Sequence, residues 1–177
     1  FLADLGLTEI LSMSFTSIDA ARQSGLADDM LNMVSLQNPL SENYGAMRTS
    51  LIPGMLETLA GNIRHGNRIC HLFEIGPTYH PPTTCVDDLP SQKTRLGVCL
   101  SGPVSDKHWG IPARNTDFYD MKGLLETIME FATGNSNVAS LEPLVSDTYK
   151  KGAAASIILN EIPVGHLGLL NPSVAKK

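Results

Sequence analysis

Two charges in this chain stand where charges are costly. Arg48 lies in Met47-Arg48-Thr49-Ser50-Leu51-Ile52 and Glu74 in Leu72-Phe73-Glu74-Ile75-Gly76, each flanked by residue types that are normally buried. Taking a charge out of water demands a partner, so the two are expected to pair with each other or with backbone groups. The functional alternative is an Arg that forks onto a phosphate and a Glu that orients a substrate in a cleft. Spacing alone leaves both open.

Other reactive residue types give weaker patterns. His65, Cys70, His71, His80 and Cys85 share one stretch, but without a CxxC or a helical His pair they read as structural residues rather than metal ligands. His108-Trp109 sits in a loop bounded by Gly and Pro; a pocket wall is conceivable there, and a Trp anchoring the loop onto the core is the expected use. Asp117 and Asp120 resemble a carboxylate pair, yet their place at the start of a helical pattern favours capping and dipole complementarity. No glycine-rich phosphate loop, HExxH or GxSxG motif is present.

These residues must be held by a core, and the composition supplies one. The 177 residues are 42% hydrophobic and 18% charged, an ordinary globular balance, and the length predicts a single domain over 1–177. A net charge of -5 argues against a surface whose main task is gripping a phosphate backbone. Three cysteines without short paired spacing indicate neither a disulfide framework nor a zinc ribbon, and point to a reducing cytoplasm. No apolar run approaches the roughly 20 residues that cross a bilayer, so no membrane role is expected. The start at Phe1 and the stop at Lys177 read as those of a piece excised from a longer chain.

Periodicity then places the elements. Phe1 to Leu5 reads as the last turn of a helix closed by Gly6, and Ile10 to Phe15, where apolar and polar residues nearly alternate, as a strand with one covered face. Ser17 can cap a short helix to about Gln23. Ile52, Met55, Leu56, Leu59 and Ile63 form a helical stripe, with Thr49-Ser50 as caps, Pro53 in the first turn and Gly66 as terminator. A β-rich run from Ile69 to Tyr79 ends at Pro81-Pro82, and Leu96 to Leu100 forms the next strand after a loop to Lys93. A second helix runs from the Asp117 cap to Gly134 with Phe118, Met121, Leu124, Leu125, Ile128 and Phe131 on one face. Strands are predicted over Val138–Val145, Ala153–Leu159 and Val164–Leu170, with Asn160-Glu161-Ile162-Pro163 as a turn. The fold class is α+β, an antiparallel sheet flanked by helices.

Several blocks together resemble a known family. Asn38-Pro39-Leu40-Ser41, Met47 to Leu56, Leu72 to Gly76, Asp117 to Glu126 and Gly165 to Val174 are similar, in order and spacing, to the core of the beta subunit of bacterial-type phenylalanyl-tRNA synthetase. The resemblance implies a class II aminoacyl-tRNA synthetase fold. It makes Leu2 to Phe15 the equivalent of motif 1, the helix and strand of the subunit interface, although the usual proline is missing. Leu2, Leu5 and Leu7 would then be apolar anchors for the alpha subunit. Phe73 to His80 would correspond to motif 2, where Pro77 and His80 replace the arginines of the active alpha subunit, and neither can fork onto a phosphate. Motif 3 would lie beyond Lys177. Tyr149-Lys150-Lys151-Gly152 stands where the family often has a His-Pro-Gly-Arg-like stretch.

The implied function is a non-catalytic core domain without catalytic, ATP-binding or metal-binding residues of its own. It would support the alpha subunit in an alpha2beta2 assembly that charges tRNA with phenylalanine, using ATP and Mg2+ held by the holoenzyme, in the cytoplasm. Two rivals remain: an active class II ligase, which would need a motif 2 Arg and a downstream motif 3, and a free-standing small-molecule binding module with the same fold.

Overall fold

The computed structural model describes residues 1–26, 28–82, 89–105, 109–110, 112 and 114–176; the side chains of 28 and 29 are not described. Its contacts group the chain into two compact units, Phe1–Ala113 and Arg114–Lys177.

In the first unit, β1 (Thr8–Glu9) runs parallel to β4 (Cys70–His80), and β4 pairs antiparallel with β5 (Ser91–Ser101) through an eleven-residue ladder from Cys70↔Ser101 to His80↔Ser91. This hairpin is longer than the alternation predicts, because the polar residues Gln92 to Arg95 also pair. The short strands β2 (Phe15–Thr16) and β3 (Ala46–Met47) form a separate antiparallel ribbon. Helix α1 (Ile18–Gln23) follows the Ser17 cap, whose side chain accepts from the Ala20 N–H.

Helix α2 (Ile52–Arg64) carries Pro53 in its first turn, and the Ser50 hydroxyl accepts from the Ile52 N–H at 3.2 Å. Its Met55 joins Leu51, Cys70 and Leu72 in the core, with Ile10, Leu59 and Cys99 packed around them. Every second residue of β4, Cys70, Leu72, Glu74, Gly76 and Thr78, is therefore buried. Ile63, at the far end of the predicted stripe, is exposed.

The second unit holds α3 (Phe118–Thr133) and the antiparallel sheet β6 (Ala139–Pro143), β7 (Tyr149–Leu159) and β8 (Ile162–Leu170), followed by the short α4 (Pro172–Ala175). Asp117 caps α3 and Gly134, at φ 75°, closes it in the left-handed conformation that Gly tolerates best. The β7–β8 turn falls on Asn160 and Glu161, both with positive φ (49° and 65°), as a tight hairpin requires. Ala155 and Leu167, paired across these strands, are buried.

Candidate functional site

The chain's most committed polar cluster lies under the β4–β5 hairpin. Arg48 directly follows β3 and Glu74 lies on β4, and the two meet at 2.7 Å between Nη1 and Oε1 with side chains only 5% and 1% exposed. Ser12 completes the cluster. Its hydroxyl donates to Glu74 Oε2 at 2.6 Å and accepts from Arg48 Nη1 at 2.8 Å, while Arg48 Nε donates to the Pro77 carbonyl at 3.0 Å.

Local sequence makes room for this cluster at two glycines. A Cβ on Gly76 would collide with the Arg48 guanidinium, and one on Gly54 of α2 would come within 2.6 Å of the Ser12 hydroxyl. Backbone bonds fix the same place from outside: Arg48 N–H donates to Ser14 C=O at 2.9 Å, and Tyr79 N–H to Arg48 C=O at 2.8 Å. Glu74 thus receives two charge-assisted or hydroxyl bonds, and Arg48 directs its Nε and Nη1 donors at protein atoms. This arrangement can cross-link three segments; a fork aimed at a solvent phosphate it is not.

Farther along β4, Pro77 offers its carbonyl to Arg48, and His80 shares a 3.3 Å contact between its Nε2 and the Thr78 hydroxyl. Burial, then Lys93, then Arg95 push the His80 pKa below its ordinary value of 6.5, so the ring is neutral near pH 7. A neutral imidazole is no substitute for a phosphate-gripping Arg.

The remaining candidates separate. His65 caps α2, with Nδ1 2.7 Å from the Gly61 carbonyl, and Cys70 is buried with its thiol 3.6 Å from the Asn67 carbonyl. Burial, then Cys70, raise the Cys99 thiol to about 11, which leaves it protonated and unreactive. Among the described residues no three metal-ligating side chains converge. Cys85 and His108 lie outside the described residues. Trp109 does not anchor its loop on the core: it is 97% exposed.

Asp117 and Asp120 form a capping box, Asp117 accepting from the N–H groups of Tyr119 and Asp120, and Asp120 accepting from the Asp117 N–H at 2.8 Å. Arg114 grips Asp120 with two bonds of 2.7 Å, and these bonds, with the Asp117 N–H, hold the Asp120 carboxyl at about 2. A cavity of about 190 Å³ between α3 and β6 is lined by Leu125, Met129, Ala139 and Leu141, with the Lys122–Glu126 ion pair among its walls.

The predicted interface leucines do not share one exposed face. Leu7 is buried, Leu2 is half-buried, and Leu5 is 42% exposed, within a single turn closed by its N–H to the Phe1 carbonyl. Sequence reasoning missed Ser12. Its only signal was a serine among Ile10, Leu11 and Met13, a position expected on the solvent side of a strand.

Solved structures of pyrrolysyl-tRNA synthetase from Desulfitobacterium hafniense superpose with TM-scores of 0.62 and 0.59, covering 99% and 92% of this chain and 56% and 52% of theirs. Their identities of 12% and 16% establish the fold alone, a class II synthetase-like α+β fold. The phenylalanine–tRNA ligase beta subunits of Streptococcus pyogenes and Photorhabdus laumondii are each 31% identical over 97% and 99% of the chain. The chain spans about a fifth of the length of these relatives, 21% and 22%. The family model for the phenylalanyl tRNA synthetase beta chain CLM domain matches residues 1–177, from end to end, and this chain belongs to that family.

Proposed function

We propose that the domain is the non-catalytic, synthetase-like core of a phenylalanine-tRNA ligase beta subunit, supporting the alpha subunit that carries out the chemistry. One observation carries the reading: on the strand where a class II enzyme would hold its phosphate-gripping Arg stand Pro77 and a neutral His80, and the guanidinium behind it, that of Arg48, is buried against Glu74 and Ser12. ATP and Mg2+ then belong to the alpha subunit of an alpha2beta2 assembly, tRNA is engaged by the holoenzyme, and the reaction takes place in the cytoplasm. Residues 1–177 act as one domain within that longer chain.

Equilibrium dialysis of the holoenzyme with ATP and Mg2+ tests this. The reading expects ATP sites equal in number to alpha subunits, and the isolated beta subunit should bind none. A second ATP site for every alpha–beta pair would overturn it.

A further inference from the structure

The two long helices meet their sheets differently. α2 buries Pro53 and Met55 in the first unit, whereas α3, sixteen residues with an apolar stripe, has no fully buried residue. Beneath α3 is a hollow. Lys122, Leu125, Glu126 and Met129 recur at i, i+3, i+4 and i+7 along one side of the helix, and instead of closing on β6 they wall the cavity of about 190 Å³. Ala139 and Leu141 line it from alternate positions of β6, and at Ala139 the wall is only a methyl deep.

The lining has two characters. Leu125, Met129, Ala139 and Leu141 make it apolar, while Lys122 and Glu126, ion-paired to each other one helical turn apart and 40% and 42% exposed, set opposite charges side by side on its wall. An exposed i,i+4 pair of this kind contributes little, so a ligand can open it at small cost. The side-chain amide of Asn137, also on the wall, makes no hydrogen bond among the described residues.

We propose that this cavity binds a free α-amino acid with an apolar side chain, its carboxylate on Lys122, its ammonium on Glu126 and its side chain against Leu125, Met129 and Leu141. The charges select the class. A phosphate or nucleotide would meet the Glu126 carboxylate and a simple amine would meet Lys122, whereas a zwitterion satisfies both. A sugar would set its hydroxyl groups against apolar walls with too few partners. Size agrees, because about 190 Å³ is several times a water's share of ~30 Å³ and lies below the ~300 Å³ at which drug-sized sites begin. Water released from the apolar walls adds to the affinity. The inference stands on the cavity and its charges, not on the function proposed above.

The test is equilibrium dialysis of the full-length beta subunit with labelled L-leucine and L-phenylalanine. At least one of them should fill a saturable site with a Kd of about 1 mM or tighter. That site should disappear in Ala139→Leu, which fills the hollow, and ligand should slow hydrogen exchange over residues 118–143 in the wild type alone. Glu126→Gln keeps the shape and spares the fold, so it decides the matter even if Ala139→Leu does not fold; it should weaken binding about tenfold or more. Phenethylamine and 3-phenylpropionate, each lacking one charge of phenylalanine, should bind weaker by a similar factor. Binding that survives both variants, or exchange over 118–143 that ligand leaves unchanged, would overturn the proposal. So would equal binding of either one-charge analogue. A higher melting temperature for Ala139→Leu, with no ligand binding lost, would mark the cavity as a packing void and overturn it too.

Discussion

Two arginines in this chain each hold a carboxylate at 2.7 Å, and they have little else in common. Arg48 and Glu74 are 5% and 1% exposed, joined across 26 residues and shared with Ser12. Arg114 and Asp120 are 56% and 19% exposed, six residues apart at the mouth of α3. Distance is therefore a poor guide to what an ion pair does. The buried pair has given up water and depends on its partners for every contact, whereas the exposed pair exchanges one solvated state for another. The first holds three segments in register; the second trims a helix end.

The largest expected effect follows from stranding a buried charge. Glu74→Ala or Arg48→Ala should each cost about 3–5 kcal/mol by denaturant titration, because the remaining charge has no water to return to. A loss below 1 kcal/mol would erase the contrast between the two pairs. Next comes Gly76→Ala, which pushes a methyl against the Arg48 guanidinium and the Glu74 carboxylate while leaving both charges in place. Overpacking of that kind costs roughly 1–3 kcal/mol, and the loss should shrink when Arg48 is already Ala.

Smaller effects belong to the start of α3. Asp117→Ala removes the acceptor for the Tyr119 and Asp120 N–H groups and should cost about 1 kcal/mol. Arg114→Gln should change neutral-pH stability least, and its signature is in the acid limb. The folded Asp120 carboxyl sits at about 2, against an ordinary 3.8, so its contribution is present above about pH 4 and fades as pH falls toward 2. Arg114→Gln should flatten that part of the stability-versus-pH curve. An unchanged slope would mean that the helix N–H groups, and not Arg114, hold the proton off.

What the sequence made readable follows from how far each interaction reaches. α3 was legible because its cap, its stripe and its stop lie within eighteen residues, from Asp117 to Gly134, and the β7–β8 turn because Asn160 and Glu161 sit between two runs of strand formers. Arg48 and Glu74 were legible as candidates because charges among apolar neighbours need partners. Ser12 was not, since its partners lie 36 and 62 residues away and its alternation argued for the opposite orientation. The same limit applies to Leu7, which enters the interior of its own unit, and to Trp109, which does not. Neither choice is encoded by its neighbours.

The central claim is that Arg48 and Glu74 are scaffolding and not chemistry, and replacing both charges at once tests it most directly. In a full-length beta subunit assembled with alpha, Arg48→Met/Glu74→Leu should recover most of the stability lost by either single alanine variant, because apolar replacements of a whole buried pair are often neutral or stabilising. The assembled enzyme should also keep its rate of phenylalanine transfer to tRNA. A stable, fully assembled double variant whose transfer rate has collapsed would contradict the account, because the two charges would then be needed for the reaction itself.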